Sequence, residues 1–244
     1  MRFFLKFFGE RHTGTKYAAK LIEANFDEVY VIEGRGLDAF ERIPSRRFVD
    51  SLYDAYFKIT YPFIFGWKHS AAPSQERLDR YWLVQEKAVR FAFLVRDPYS
   101  WLLSLHRVPY DSQSLPRRFE DFLQAPWKTR SRDGCGSVSS PIELWNVKNR
   151  SYLKSEFPMF RFEELVTDPE MFTRRVARYF DLDSGDRFID YEKSTVAGSD
   201  IKSAFYKAYY KNEEWTGLLS REALGIIGEG IDWDLARNFG YRRR

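Results

Sequence analysis

Arg11, His12, Thr13, Thr15 and Lys16 fall within six consecutive residues, and Gly9 and Gly14 bracket most of them. Cationic, imidazole and hydroxyl groups at this density can hold an anion, and glycine lets the backbone approach it closely. A second set begins at Arg96, runs through Asp97 and Pro98, and adds Ser100, Ser104 and Arg107. Those last three are spaced by four and three, so they share a helix face. An arginine fork with a serine hydroxyl suits phosphate oxygens, and Arg96 with Ser104 makes such a pair. The plain alternative is a capped helix beside a surface arginine.

Proton transfer needs a further group. His69, in Trp67-Lys68-His69-Ser70, has a side chain whose pKa suits a general base. Glu10 is the carboxylate alternative, and a strand-end histidine held for structure is the bland one. Lys68 is either an anion contact or a solvated lysine. His106 reads as a surface helix residue. Cys135 is the only cysteine, with no histidine tied to it, so an incidental thiol in a reducing compartment is expected. Three histidines and one cysteine, scattered, do not make a metal site.

The elements must bring these groups together. Arg2–Phe8 is an apolar strand, Gly14–Asn25 a helix with Tyr17/Leu21 and Ala18/Ile22 inward, and Glu28–Ile32 a second strand, a βαβ unit. Gly9 to Gly14 is then the loop between a strand and a helix N-terminus, a ready anion site. Phe63–Trp67 reads as a third strand, and Ser74–Glu86 as a polar helix. Val89–Val95 is a buried strand that places Arg96 at its carboxyl end, where open α/β sheets hold ligands. Asp97 caps the following helix and Pro98 opens it. Ser131–Ser140 reads as a mobile loop, Ile142–Leu153 as a helix presenting Leu144, Val147 and Lys148, and Phe157–Phe162 as a short strand at an edge. Residues 33–61 read as an insertion with a helix at Phe48–Tyr56. The expectation is one α/β domain over 1–244: three layers, a mostly parallel central sheet of about four to five strands, and helices on both sides.

Composition agrees. At 244 residues, 44% hydrophobic and 30% charged, the chain can bury a sizeable core. A net charge of +4 is too weak to imply nucleic acid. No apolar run approaches the roughly 18 residues of a membrane span, so a cytoplasmic protein is expected.

Together the two anion corners resemble the sulfotransferases that use PAPS (3′-phosphoadenosine 5′-phosphosulfate). That family's first loop, often PKSGTTW, is matched by Arg11-His12-Thr13-Gly14-Thr15-Lys16-Tyr17. Its R-x-P-x-x-x-x-x-S motif is matched by Arg96, Pro98 and Ser104. Arg161-Phe162-Glu163-Glu164-Leu165 with Asp168-Pro169, and Phe239-Gly240-Tyr241, are similar to further family segments. The resemblance implies that Gly9, Arg11, His12, Thr13, Gly14, Thr15, Lys16 and Tyr17 bind the 5′-phosphosulfate, and that Arg96 and Ser104 bind the 3′-phosphate. It implies metal-free in-line transfer of a sulfuryl group to a hydroxyl or amine, releasing adenosine 3′,5′-bisphosphate (PAP). Trp67-Lys68-His69 resembles the family's K-x-H element, which makes His69 the base. Two departures stand out. His12 occupies the position of the family's loop lysine, leaving Arg11, His12 or Lys16 to supply the charge. The C-terminal R-K-G loop over the 3′-phosphate is missing, with Lys202, Lys207 or Lys211 as stand-ins. The acceptor is expected to be a carbohydrate or a small hydroxylated metabolite.

Two other readings remain. The first is a P-loop nucleotide kinase or NTPase: Gly9 to Gly14 begins a Walker A pattern, but Lys16 comes one residue late and Tyr17 replaces the magnesium-binding hydroxyl. A catalytically inactive nucleotide- or glycan-binding module is the second.

Overall fold

β1 (Phe3–Gly9) and β3 (Val89–Val95) are apolar except for Lys6 and Arg90 and buried almost throughout, as the central strands of a doubly covered parallel sheet must be. A computed structural model of the chain describes residues 2–33, 46–109, 115–183, 185, 187–192 and 203–244, with the backbone alone at 46–48 and 203. Its sheet has four strands in the order β2-β1-β3-β4, all parallel, with β2 at Val29–Val31 and β4 at Met159–Arg161. β4 is an edge strand that starts just after Pro158, where a missing N–H costs no ladder bond.

The helices are α1 (Thr15–Asn25), α2 (Arg46–Ile59), α3 (Tyr61–Ile64), α4 (Gln75–Leu78), α5 (Trp82–Gln85), α6 (Pro98–Arg107), α7 (Phe119–Gln124), α8 (Pro141–Leu153), α9 (Phe162–Thr167), α10 (Pro169–Phe180), α11 (Ser203–Lys211), α12 (Arg221–Gly230) and α13 (Trp233–Asn238). Period-two alternation sends Phe3, Leu5 and Phe7 to one face of β1, where Phe3 meets Phe180 of α10 at 6.0 Å between ring centroids. Phe8 and Phe93 occupy the other face, and Phe93 meets Tyr152 of α8 at 4.7 Å. Covered on both faces, the sheet is the middle of three layers. No described helix is long and apolar enough to cross a membrane.

Several expectations need correction. Phe63–Trp67 is not a strand: Pro62 opens the single turn α3, and positive φ at Phe65 (55°) and Gly66 (87°) then breaks the chain. Ser74–Glu86 is two separate turns, α4 and α5, rather than one helix. Part of the loop 131–140 is ordered into a 3-10 turn, Ser131–Asp133, in which the Asp133 carboxylate accepts from Arg130 N (2.6 Å) and the Arg130 carbonyl accepts from Asp133 N (2.9 Å). His106 is half-buried rather than on the surface: its ring packs on Phe119 and Phe122, and its Nε2 lies 3.0 Å from the Pro116 carbonyl. Because a carbonyl only accepts, Nε2 is the donor. Residues 34–45 of the insertion lie outside the described residues, as does Lys202.

Candidate active site

β1 and β3 are neighbours in parallel register, Gly9 beside Leu94, so the loops that leave their carboxyl ends emerge together. The first loop turns on glycine. A Cβ at Gly9 would lie 2.5 Å from Thr13 Oγ1 and 2.7 Å from the Leu94 carbonyl. Gly14 has φ 81° and abuts Leu165 and Phe162. Glu10, buried, organises the turn between them: its carbonyl accepts from Thr13 Oγ1 (2.6 Å) and Thr13 N (3.2 Å), and its carboxylate accepts from Arg11 N (2.7 Å). α1 follows with no side-chain cap and no acidic residue in its first turn. Its leading N–H groups and positive dipole end therefore face the loop without an internal anion.

Arg96 forms the second corner and touches the first. Its Nη1 donates to the His12 carbonyl (2.6 Å), Nε to Ser100 Oγ (3.0 Å), and Nη2 to the Ser100 carbonyl (2.9 Å) and Tyr210 Oη (2.8 Å). The rings of Phe162 (4.2 Å) and Tyr210 (5.0 Å) flank the guanidinium. Four of its five N–H donors are thus committed to protein. Ser104, one turn beyond Ser100, is buried as well. Arg107, placed on that same face by spacing, is exposed. Glu163 holds the turn, accepting from Asp97 N (2.9 Å) and Tyr241 Oη (2.9 Å). Burial and then Glu163 push the Asp97 carboxyl up to about 6.

His69 joins the loop from the side. The Gly9 N–H donates to the Lys68 carbonyl (2.9 Å), and His69 Nδ1 donates to the Gly9 carbonyl (2.7 Å). A carbonyl only accepts, so Nδ1 carries the proton and Nε2 keeps its lone pair. Burial, then Arg11 and Lys68, hold this imidazole well below its usual pKa of 6.5.

His12 is also neutral. It sits at φ 68°, its Nε2 donates to the Val108 carbonyl (2.9 Å), and burial followed by Arg96 lowers it to about 4. The expectation that a protonated His12 replaces a loop lysine therefore fails at neutral pH in this arrangement. The other two cations of the loop are Arg11, packed on Trp67 at 5.4 Å, and the exposed Lys16. Lys68 adds to it: burial lowers its pKa, Glu33 (3.3 Å) opposes that, and Lys16 and Arg11 push it further down. Tyr17 and Thr15 are buried, and Tyr17 Oη donates to Asp190 (2.8 Å), which also pairs with Lys207. Lys211 is exposed at the end of α11.

Sequence reasoning missed the charges beneath the loop. Lys148 of α8 is fully buried between Glu10 and Asp133 (2.9 Å) and also donates to the His69 carbonyl (2.6 Å). Burial alone would lower its pKa, but the two carboxylates raise it above the usual lysine value. Removing one partner from such a cluster costs on the order of 3–5 kcal/mol. Its only sequence trace is a lysine on the otherwise inward stripe of α8. Glu10, the alternative base, is thereby held as a paired carboxylate. Cys135 is half-buried, and burial pushes its thiol up to about 11, outside the nucleophilic range. Among the described residues, no His, Cys, Asp and Glu side chains group as a metal site.

No family model matches the chain, and no curated protein matches it. Solved structures similar to it include the sulfotransferase domain from the curacin biosynthetic pathway, at 12% identity and TM-score 0.47 over 100% of this chain and 99% of that one. A sulfotransferase from Alicyclobacillus acidocaldarius is 16% identical, with TM-score 0.47 over 94% and 95%. Mouse sulfotransferase SULT7A1 complexed with PAP is 16% identical, with TM-score 0.35 over 98% of this chain and 80% of that one.

Proposed function

We propose that this protein is a PAPS-dependent sulfotransferase acting on a hydroxyl or amine of a carbohydrate or small hydroxylated metabolite. The observation that carries the reading is the convergence of Arg11, Lys16, Lys68 and Arg96 on one glycine-bounded loop, at the carboxyl ends of two adjacent parallel strands. After burial, which is the larger cause, repulsion from these cations adds to the lowering of the pKa values of His12, Lys68 and His69. An anion bound there relieves it.

PAPS supplies a sulfuryl group and an adenosine bisphosphate leaving group. The backbone of 9–14 and the first turn of α1 hold the 5′ end, with Arg11, Thr13, Thr15 and Lys16. Arg96 and Ser104 hold the 3′-phosphate, which takes the remaining Nη1 N–H and competes with Tyr210 for Nη2. His69 Nε2 accepts the proton of the attacking hydroxyl, and the cations stabilise charge on the leaving and equatorial oxygens. Tyr17 stands where a Walker loop has its magnesium hydroxyl, and its own hydroxyl is engaged by Asp190. This favours PAPS over magnesium-ATP.

Thermal unfolding with PAP tests the donor. At a hundredfold excess over Kd, stabilisation by mass action is about 2.7 kcal/mol. Stronger protection by ATP with magnesium overturns the reading in favour of a kinase. PAP protection with no transfer of radiolabelled sulfate from PAPS across an acceptor panel favours an inactive nucleotide-binding module.

A further inference from the structure

α8 presents Lys148 and, about one helical turn on, Ser151 and Tyr152 to the segment that carries His69. Lys148 Nζ donates to the His69 carbonyl (2.6 Å) and Tyr152 Oη to the Ser70 carbonyl (3.1 Å). Ser151 Oγ accepts from Ala72 N (2.9 Å). Lys148 differs from its neighbours in also reaching the anion loop. Its ammonium donates to the Glu10 carboxylate, whose other oxygen receives Arg11 N–H and whose carbonyl receives Thr13. A third bond runs to Asp133 Oδ1 (2.9 Å), and the Asp133 carbonyl receives Ala71 N–H (2.7 Å). An ammonium has three N–H donors, and here each meets an acceptor.

We infer that Lys148 is a positioning residue of the site, a buried tripod that fixes the imidazole of His69 relative to loop 9–14. Lys148 is fully buried and acts through His69 and Glu10. Three separate stretches of chain, Glu10, His69 and Asp133, share this single cation. Without it, the His69 segment is tied to Gly9 by two bonds, Gly9 N–H to the Lys68 carbonyl and His69 Nδ1 to the Gly9 carbonyl, and neither reaches Glu10 or Asp133. An arginine keeps the charge, but its planar fork cannot serve three acceptors arranged around one atom. The role given to His69 rests on the sulfuryl-transfer reading; the tie between Lys148, His69 and the loop does not.

Imidazole nitrogen NMR tests the tie directly, since the chain has only three histidines. In the parent protein His69 should show a single Nδ1–H tautomer and titrate well below 6.5. The cations that face it are Arg11, Lys68 and Lys148. K148M/D133N removes the ammonium and one of its two carboxylates, leaving the net charge of the cluster unchanged. In that variant the His69 signals should become a tautomer mixture with a midpoint nearer 6.5, while His106 is unmoved. Sulfuryl transfer should lose tenfold or more in kcat. An unchanged His69 spectrum in the folded variant overturns the inference. If K148M/D133N does not fold, K148R is read the same way. A parent His69 with mixed tautomers and an ordinary midpoint also overturns it. Failure of PAP to stabilise the parent overturns the sulfuryl-transfer reading, while the His69 spectra still decide the role of Lys148.

Discussion

His69 Nδ1 donates to the carbonyl of Gly9 at 2.7 Å, which ties the base candidate to the strand that launches the anion loop. The bond sets the tautomer, and burial, then the surrounding cations, keep the ring neutral. H69A should therefore lower kcat by about 10²–10⁴-fold, while PAP still raises the unfolding temperature. The acid limb of kcat/KM should lie well below 6.5, so activity should stay level as pH falls from 8 through 6.5. Measured pH–rate profiles with an acid limb at or above 6.5 would remove His69 from this role.

His12 makes an acid-stability prediction of definite sign. Its folded pKa, about 4, is below the unfolded 6.5, so the unfolded chain binds more protons between those values. The contribution is full above 6.5 and is lost as pH falls toward 4. Asp97, raised to about 6, works oppositely and loses its contribution as pH rises through that value. The difference between parent and H12N isolates the histidine, because asparagine tolerates the positive φ at this position. Denaturant titrations should show a shallower acid decline in H12N.

Ser104 and Arg96 should separate binding from folding. S104A should alter unfolding free energy by about 1 kcal/mol or less yet weaken PAP binding. R96A strands the His12 and Ser100 carbonyls and should lose several kcal/mol, at roughly 1–3 per stranded group. Calorimetric PAP titrations equal in parent and S104A would dismiss this serine as a phosphate ligand.

Tyr210 occupies an Arg96 donor that the 3′-phosphate is proposed to use. Y210F should bind PAP more tightly by a few-fold, while losing roughly 1 kcal/mol of stability with its hydrogen bond. Weaker PAP binding in Y210F would instead make the hydroxyl a ligand.

Gly9 tests the loop's shape. In G9A the new methyl meets Thr13 Oγ1 and the Leu94 backbone, neither of which can withdraw freely. A loss of about 1–3 kcal/mol and of PAP protection is expected. Native-like PAP affinity in G9A would show that the tight turn is dispensable.

The features legible in the chain were local ones. β1, the glycine-bounded loop and α1 are contiguous, so apolar run, glycine and helical spacing reveal them together. β3, Arg96, Asp97-Pro98 and α6 are legible for the same reason, since a cap and an N1 proline act within a few residues. Phe63–Trp67 misled because a short apolar run is equally a buried turn, and Pro62 with two positive-φ residues decided against a strand. What only the tertiary structure decided were the pairings between distant segments: Lys148 with Glu10 and His69, Tyr210 with Arg96, and His69 with Gly9. Such bonds join residues 60 to 138 positions apart, and no local pattern encodes them. Sequence spacing thus put cations and hydroxyls at two strand ends. Parallel pairing of β1 with β3 made those ends one site, and burial determined which of its histidines and lysines carry charge.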